Sequence, residues 1–258
     1  MILSYLKYWL KASYKGGHGV HSPFMYHFVT LILEEKYDYF AFRKIDLVRK
    51  KLLLNKTEIE ITDFGAGSRI FKGNKRKISD LAKYSAISKK HGELLFRMVN
   101  YYKPKTVLEL GTSLGLGTMY LASPNSKTKL ITIEGCKEIG KLAQHNFNQH
   151  NFTTIELVIE PFESALTKVL AANNLIDFVF IDGNHSGVAT LNYFKMLLPI
   201  LSENAIIVFD DINWSNSMQQ AWKTICHLEK VRVSVDIFRF GIVFFNKNLS
   251  KQHYIIRF

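Results

Sequence analysis

Cysteine is almost absent from this 258-residue chain: Cys136 and Cys226 are the two it has, in neither CxxC nor metal-ligand spacing. That excludes a disulfide scaffold and a zinc ribbon, and it suits a reducing cytosol, so a cytoplasmic location is expected. Proline is scarce as well (5 residues), and the 15 glycines follow no period. Collagen-like and low-complexity disordered chains are thereby excluded. No apolar run approaches the ~20 residues of a membrane span. The opening MILSYLKYWLKASYKG faintly resembles a signal peptide, but Lys7 and Lys11 interrupt it and no small-residue cleavage site follows, so it reads as retained. What is present, 47% hydrophobic residues, is enough for a core that needs no staple.

Acidic residues are in short supply in one part only. Residues 1–105 hold 21 Lys/Arg against 9 Asp/Glu, whereas residues 106–258 hold 13 of each. The whole net charge of +12 therefore sits on the N-terminal part. Such asymmetry points to an anionic partner for that part, or else to a solvated basic surface.

The neutral part alternates strands and helices. Nearly continuous apolar runs at 106–111, 129–135, 154–160, 177–183 and 205–211 read as strands buried on both faces of a parallel sheet. Helix-length stretches with an apolar stripe lie between them, at 137–150, 163–174, 186–201 and 216–229. This predicts right-handed βαβ units in a doubly wound α/β sheet. The runs 233–240 and 241–246 leave no room for a crossover and should pair antiparallel. The expected fold is therefore a Rossmann-like sheet of five parallel strands plus a C-terminal antiparallel hairpin. A mainly helical, basic N-terminal extension precedes it. In that extension Ser22-Pro23 predicts a helix start running to about Leu33, and a second helix is expected over 39–53. The domain boundary is placed near residue 78, giving 1–78 and 79–258.

VLELGTSLGLGT (107–118) is a strand entering a glycine-rich turn that opens a helix, where the backbone can approach a ligand and helix N–H groups face it. Its order, Glu109-x-Gly111-x-x-x-Gly115-x-Gly117, is neither the dinucleotide fingerprint nor a P-loop. An acid two residues before the first glycine suits a positively charged ligand rather than a pyrophosphate. Glu134, ending the second strand, is placed to accept hydrogen bonds from ribose hydroxyls. A zwitterionic, sulfonium-bearing nucleoside meets both requirements, and S-adenosylmethionine is that molecule. A second motif, Asp63-Phe-Gly65-Ala-Gly67-Ser68, repeats the acid-and-glycine pattern, but no apolar helix and no acid-ended strand follow it. It reads as a turn.

With ISKKHGELL (87–95), ELGTSLGLGT, ITIEG and FIDGNH (180–185) in that order, residues 88–246 resemble the class I S-adenosylmethionine-dependent methyltransferases, closest to the catechol-type small-molecule O-methyltransferases. The resemblance implies that Glu109, Gly111, Thr112, Ser113 and Gly115 surround the methionine moiety. It puts Glu134 on the ribose, Phe162 and Glu163 beside the adenine, and Asp182 near the transferable methyl. It further implies a divalent cation, Mg²⁺ or Ca²⁺ by its oxygen donors, on Asp182, Asp210 and Asp211. The third of these departs from the pattern, since the family carries Asn there. Without a metal, Asp182 orients the cofactor and Asp211 caps the following turn. His185 stands where the family carries a lysine base, and an imidazole can take a hydroxyl proton near neutral pH.

The expected activity is O-methylation of a small-molecule hydroxyl by in-line displacement. The Asp182-Gly-Asn-His185 stretch stands where exocyclic-nitrogen methyltransferases carry Asn/Asp-Pro-Pro-Tyr, and no cysteine stands where a C5-cytosine nucleophile would. A nucleic-acid methyltransferase using the basic part, and a non-catalytic cofactor-binding protein, are the alternatives. The N-terminal helix, with Leu, Tyr and Trp among lysines, reads either as a peripheral membrane contact or as part of a homodimer interface.

Overall fold

The computed structural model describes residues 2–13, 15–62, 73–172 and 175–258. Helix α1 (Ile2–Lys11) opens the chain and α2 (Pro23–His27) follows, continuing as a π-helical stretch over Phe28–Leu33. The predicted cap is in place: the Ser22 side chain accepts from the Met25 N–H and Pro23 takes the first helical position. Next come α3 (Phe40–Leu54), the short antiparallel pair β1 (Glu58–Glu60) and β2 (Lys75–Lys77), α4 (Ile78–Tyr84) and α5 (Lys89–Tyr102). The Asp63–Ser68 glycine motif lies outside the described residues.

From there strand and helix alternate: β3 (Thr106–Leu110), α6 (Leu116–Ala122), β4 (Lys129–Glu134), α7 (Lys137–Gln149), β5 (Ile155–Ile159), α8 (Phe162–Ala171), β6 (Ile176–Ile181), α9 (Gly187–Leu197), β7 (Leu201–Phe209) and α10 (Asn216–His227). The chain closes with β8 (Val233–Asp236), β9 (Gly241–Phe244) and β10 (Gln252–Ile255).

Two compact units result: Tyr37–Ala172 is one, and Met1–Lys36 together with Asn173–Phe258 is the second. In the first, β4 pairs in parallel with both β3 and β5, and Val107, Leu108, Leu130 and Ile133 are buried. In the second, β6 and β7 pair in parallel through Phe178↔Ile206 to Ile181↔Phe209. Then β9 runs antiparallel to β7 and β8 antiparallel to β9, which is the hairpin that the short 237–240 connection requires.

Strand β10 was not expected. It pairs in parallel with β8, yet Gln252 and His253 are exposed and only Tyr254 of its four residues is buried, so it carries no apolar run to read. What fixes it is tertiary. Ser13 bridges to Ile256, the Tyr8 hydroxyl donates to the Ile256 carbonyl, and the Arg257 guanidinium sits 4.4 Å above the Trp9 ring. Helix α1 is thus tied to the C-terminal strand, with Leu6 and Leu10 left exposed.

Candidate functional site

Within Tyr37–Ala172, the sequence-predicted cofactor residues gather at the C-terminal ends of β3 and β4. The turn after β3 is held by Gly111 and Thr112, whose N–H groups both reach the Ile133 carbonyl. Ser113 (φ 51°) and Gly115 (φ 82°) take left-handed conformations. A Cβ on Gly115 would lie 2.5 Å from the Phe147 ring, so both backbone and space demand glycine there. Glu134 closes the corner: its carboxylate accepts from the Ser113 N–H and the Cys136 N–H, each at 2.9 Å. Burial pushes its pKa up, against the pull of those bonds.

Glu109 is 1% exposed at the centre of this corner. Its Oε2 accepts from the Thr118 hydroxyl at 2.5 Å and the Thr132 hydroxyl at 2.7 Å, and Thr112 continues the chain 2.6 Å from Thr132. Its Oε1 is buried with no hydrogen-bond partner among the described residues. Burial outweighs the two threonine bonds and lifts the Glu109 carboxyl to about 7. A buried acceptor without a donor is costly unless something outside the chain completes it. A cationic ligand group would do so; S-adenosylmethionine carries an ammonium and a sulfonium, and the residues here fit it. At the start of α8, Phe162 is half-buried and Glu163 exposed.

Within the other unit, a second corner forms beyond β6 and β7, where Asp182, His185, Asp210 and Asp211 come together as expected. His185 lies 3.9 Å (Nε2) from Asp182 Oδ1 and 3.8 Å (Nδ1) from Asp211 Oδ2. Asn184, His185, Asp211 and Phe238 all have positive φ, four of the seven such non-glycine residues among those described. Strain of this kind persists where the surroundings over-determine it, which is common at functional sites.

The three acids expected to hold a metal ion find partners within the chain. Asp210 is fully buried, and both its oxygens are taken at 2.7 Å by the Nε and Nη2 of Arg239, which also lies 3.6 Å from Asp211 Oδ1. The Arg239 guanidinium thus supplies a positive charge to two of the three acids expected to hold a cation, Asp210 and Asp211. Among the described residues no group of three His, Cys, Asp or Glu is arranged to hold a metal ion. The donor set therefore does not fit Mg²⁺ or Ca²⁺.

The same pairing splits the acids. Burial and the Asp210 charge hold the Asp182 carboxyl well above its usual range. Burial opposes ionisation of Asp210 too, but the Arg239 fork prevails and holds it low. Burial, then Asp210, push Asp211 up to about 6.

Sequence reasoning missed Arg239, and it missed Thr118 and Thr132 as the hydroxyls that hold Glu109. The one signal for Arg239 was a lone cation in an otherwise apolar hairpin tip, Ile237-Phe238-Arg239-Phe240.

A methyltransferase-domain family matches residues 108–212. The O-methyltransferase hkm8 of Aspergillus hancockii is 25% identical over 129 residues, covering 48% of this chain and 50% of that protein, so the chain spans about half the length of this relative. Among solved structures, the O-methyltransferase from Bacillus cereus in complex with SAH aligns with TM-score 0.57 at 17% identity, over 85% of this chain and 94% of that one. TomG from Streptomyces achromogenes, an O-methyltransferase in complex with SAM, aligns with TM-score 0.56 at 17% identity, over 84% and 92%. The chain has the Rossmann-like fold of the class I S-adenosylmethionine-dependent methyltransferases and resembles their catechol-type small-molecule O-methyltransferases.

Proposed function

We propose that the protein transfers the methyl group of S-adenosylmethionine to a hydroxyl of a small molecule. The observation that carries this reading is Glu109: a buried carboxylate, fixed on one oxygen by Thr118 and Thr132, with the other left for a ligand at the end of a glycine turn. When bound, S-adenosylmethionine supplies an electrophilic methyl group on a sulfonium. Glu109 offers its free oxygen to the ligand's positive charge, and Gly111, Thr112, Ser113 and Gly115 shape the turn that receives the methionine moiety. Glu134, held rigid by two backbone N–H groups, presents its remaining lone pairs to the ribose hydroxyls. Phe162 and Glu163 are assigned to the adenine.

His185 receives the acceptor's hydroxyl proton, so that the oxygen can bond to the methyl carbon as the carbon–sulfur bond breaks towards sulfur. Asp182 and Asp211, on either side of the ring, orient it, and Asp211, raised only to about 6, is the carboxylate that favours the imidazolium that forms. No step is assigned to a divalent cation, because Arg239 already neutralises Asp210.

Calorimetric titration of SAH, the demethylated product, tests the cofactor half. The wild-type protein should bind it, and Glu134→Ala should bind it about 10- to 100-fold more weakly, as expected for the loss of hydrogen bonds to a charged group. No detectable binding to the wild-type chain would sink the proposal.

A further inference from the structure

Apart from both corners, a cavity of about 760 Å³ opens in the unit formed by Met1–Lys36 and Asn173–Phe258. Its walls are two helix faces and a sheet edge. Helix α1 contributes Ser4, Lys7, Tyr8 and Lys11, and α10 contributes Gln219, Trp222, Lys223 and His227, in each case positions that recur on one helical face. Gln219 donates to Ser4 and so joins the two faces directly. Lys251, just before the β10 edge, adds a fourth lysine to the lining.

Four lysines face this space against one carboxylate, Asp236. Lys251 is spent in part on the His227 and Leu228 carbonyls, and Asp236 in part on the Phe238 N–H. Lys7, Lys11 and Lys223 form no ion pair among the described residues. Like charges at i,i+4, such as Lys7 and Lys11, repel across one helical turn. Placing further cations opposite them adds to that cost, which an anion between the faces would reverse. Tyr8 and Trp222, nearly buried, give the same space an aromatic lining.

We propose that this cavity is a binding site for a phosphorylated small molecule with an aromatic body. Separate lysine point charges suit a multiply charged phosphate, whereas a lone carboxylate is better matched by an arginine fork, and none lines the cavity. The inference does not rest on the methyl-transfer reading, since none of the residues assigned to that reaction lines the cavity.

Calorimetry with phenyl phosphate as the probe tests it. The wild-type chain should bind phenyl phosphate saturably, more tightly than it binds inorganic phosphate, benzoate or phenol, and raising salt from about 50 to 200 mM should weaken binding. In Lys7→Gln/Lys223→Gln, affinity should fall about 10- to 100-fold. SAH affinity should stay unchanged in the same variant, both lysine side chains being exposed and outside the cofactor corner. Three results would overturn the proposal: no saturable binding up to about 10 mM, unchanged affinity in the double variant, or displacement of phenyl phosphate by SAH. Benzoate or inorganic phosphate binding as tightly as phenyl phosphate would overturn the ligand assignment.

Discussion

At the scale of single residues, Glu109 combines a cost to the fold with a use for a ligand. Its carboxyl is lifted to about 7 by burial, so in the ligand-free protein it is roughly half protonated at neutral pH. A bound cation favours the ionised form. SAH affinity should therefore fall about tenfold between pH 8 and pH 6, with proton release visible as buffer-dependent binding heats. Glu109→Gln keeps the shape and removes the charge. It should leave the ligand-free protein as stable or more stable at pH 8 while weakening SAH at least tenfold; equal SAH affinity in this variant would remove Glu109 from the cofactor corner. In the proposed reaction His185 acts on the acceptor instead. His185→Gln should lower turnover about 10²- to 10⁴-fold, as expected for a positioned base, and leave SAH affinity alone. Full turnover in that variant would rule out the base assignment.

At the scale of elements, the loop between β8 and β9 holds the acid corner together. Its Arg239 forks onto Asp210, its Phe238 carbonyl accepts from Asn213, and its Arg239 carbonyl accepts from the Ile212 N–H. Arg239→Ala would leave Asp210 buried without its counter-ion, at a cost of about 3–5 kcal/mol. Urea unfolding would show that loss, and a midpoint equal to wild type would contradict it. Because Arg239 supplies the positive charge, turnover should persist in excess chelator; its abolition by chelator and recovery with Mg²⁺ would restore the metal reading. Much of this fold was legible because strands buried on both faces advertise themselves as apolar runs, as VLEL and FVFI do. The β3 corner was legible for a related reason: an acid inside such a run, followed by glycines, has few uses other than meeting a ligand. Arg239 was not legible, because its partner lies 29 residues away and only the hairpin's return brings them together. Strand β10 was hidden likewise, its pairing resting on contacts with α1 from the far end of the chain.

At the scale of the whole molecule, these buried acids add up to an unusual dependence of stability on pH. Glu109 is raised to about 7, Asp211 and Asp236 to about 6, and Asp182 well above its usual range, in each case with burial as the largest cause. A carboxyl whose folded pKa exceeds its unfolded value binds more protons in the native state. Its contribution is fully present below the unfolded value, about 4, and is lost as pH rises through the folded one. Asp210 has the opposite sign: held low by Arg239, it stabilises above its unfolded pKa and loses that contribution only in acid. His150 and His253 are lowered by burial, so they favour the folded state as pH rises towards 6.5 and oppose the carboxyls there. Above that point the histidines are neutral in both states, and Glu109 titrates without opposition from them. The ligand-free protein should therefore lose stability between pH 6.5 and pH 8, at up to about 1.4 kcal/mol per pH unit for each group still titrating. Saturating SAH should flatten that slope, because the ligand's ammonium meets Glu109 in its ionised form. Thermal unfolding followed across this window, with and without SAH, separates the two terms. A ligand-free midpoint that climbs from pH 6.5 to 8 would show that these carboxyls are not raised in the native state.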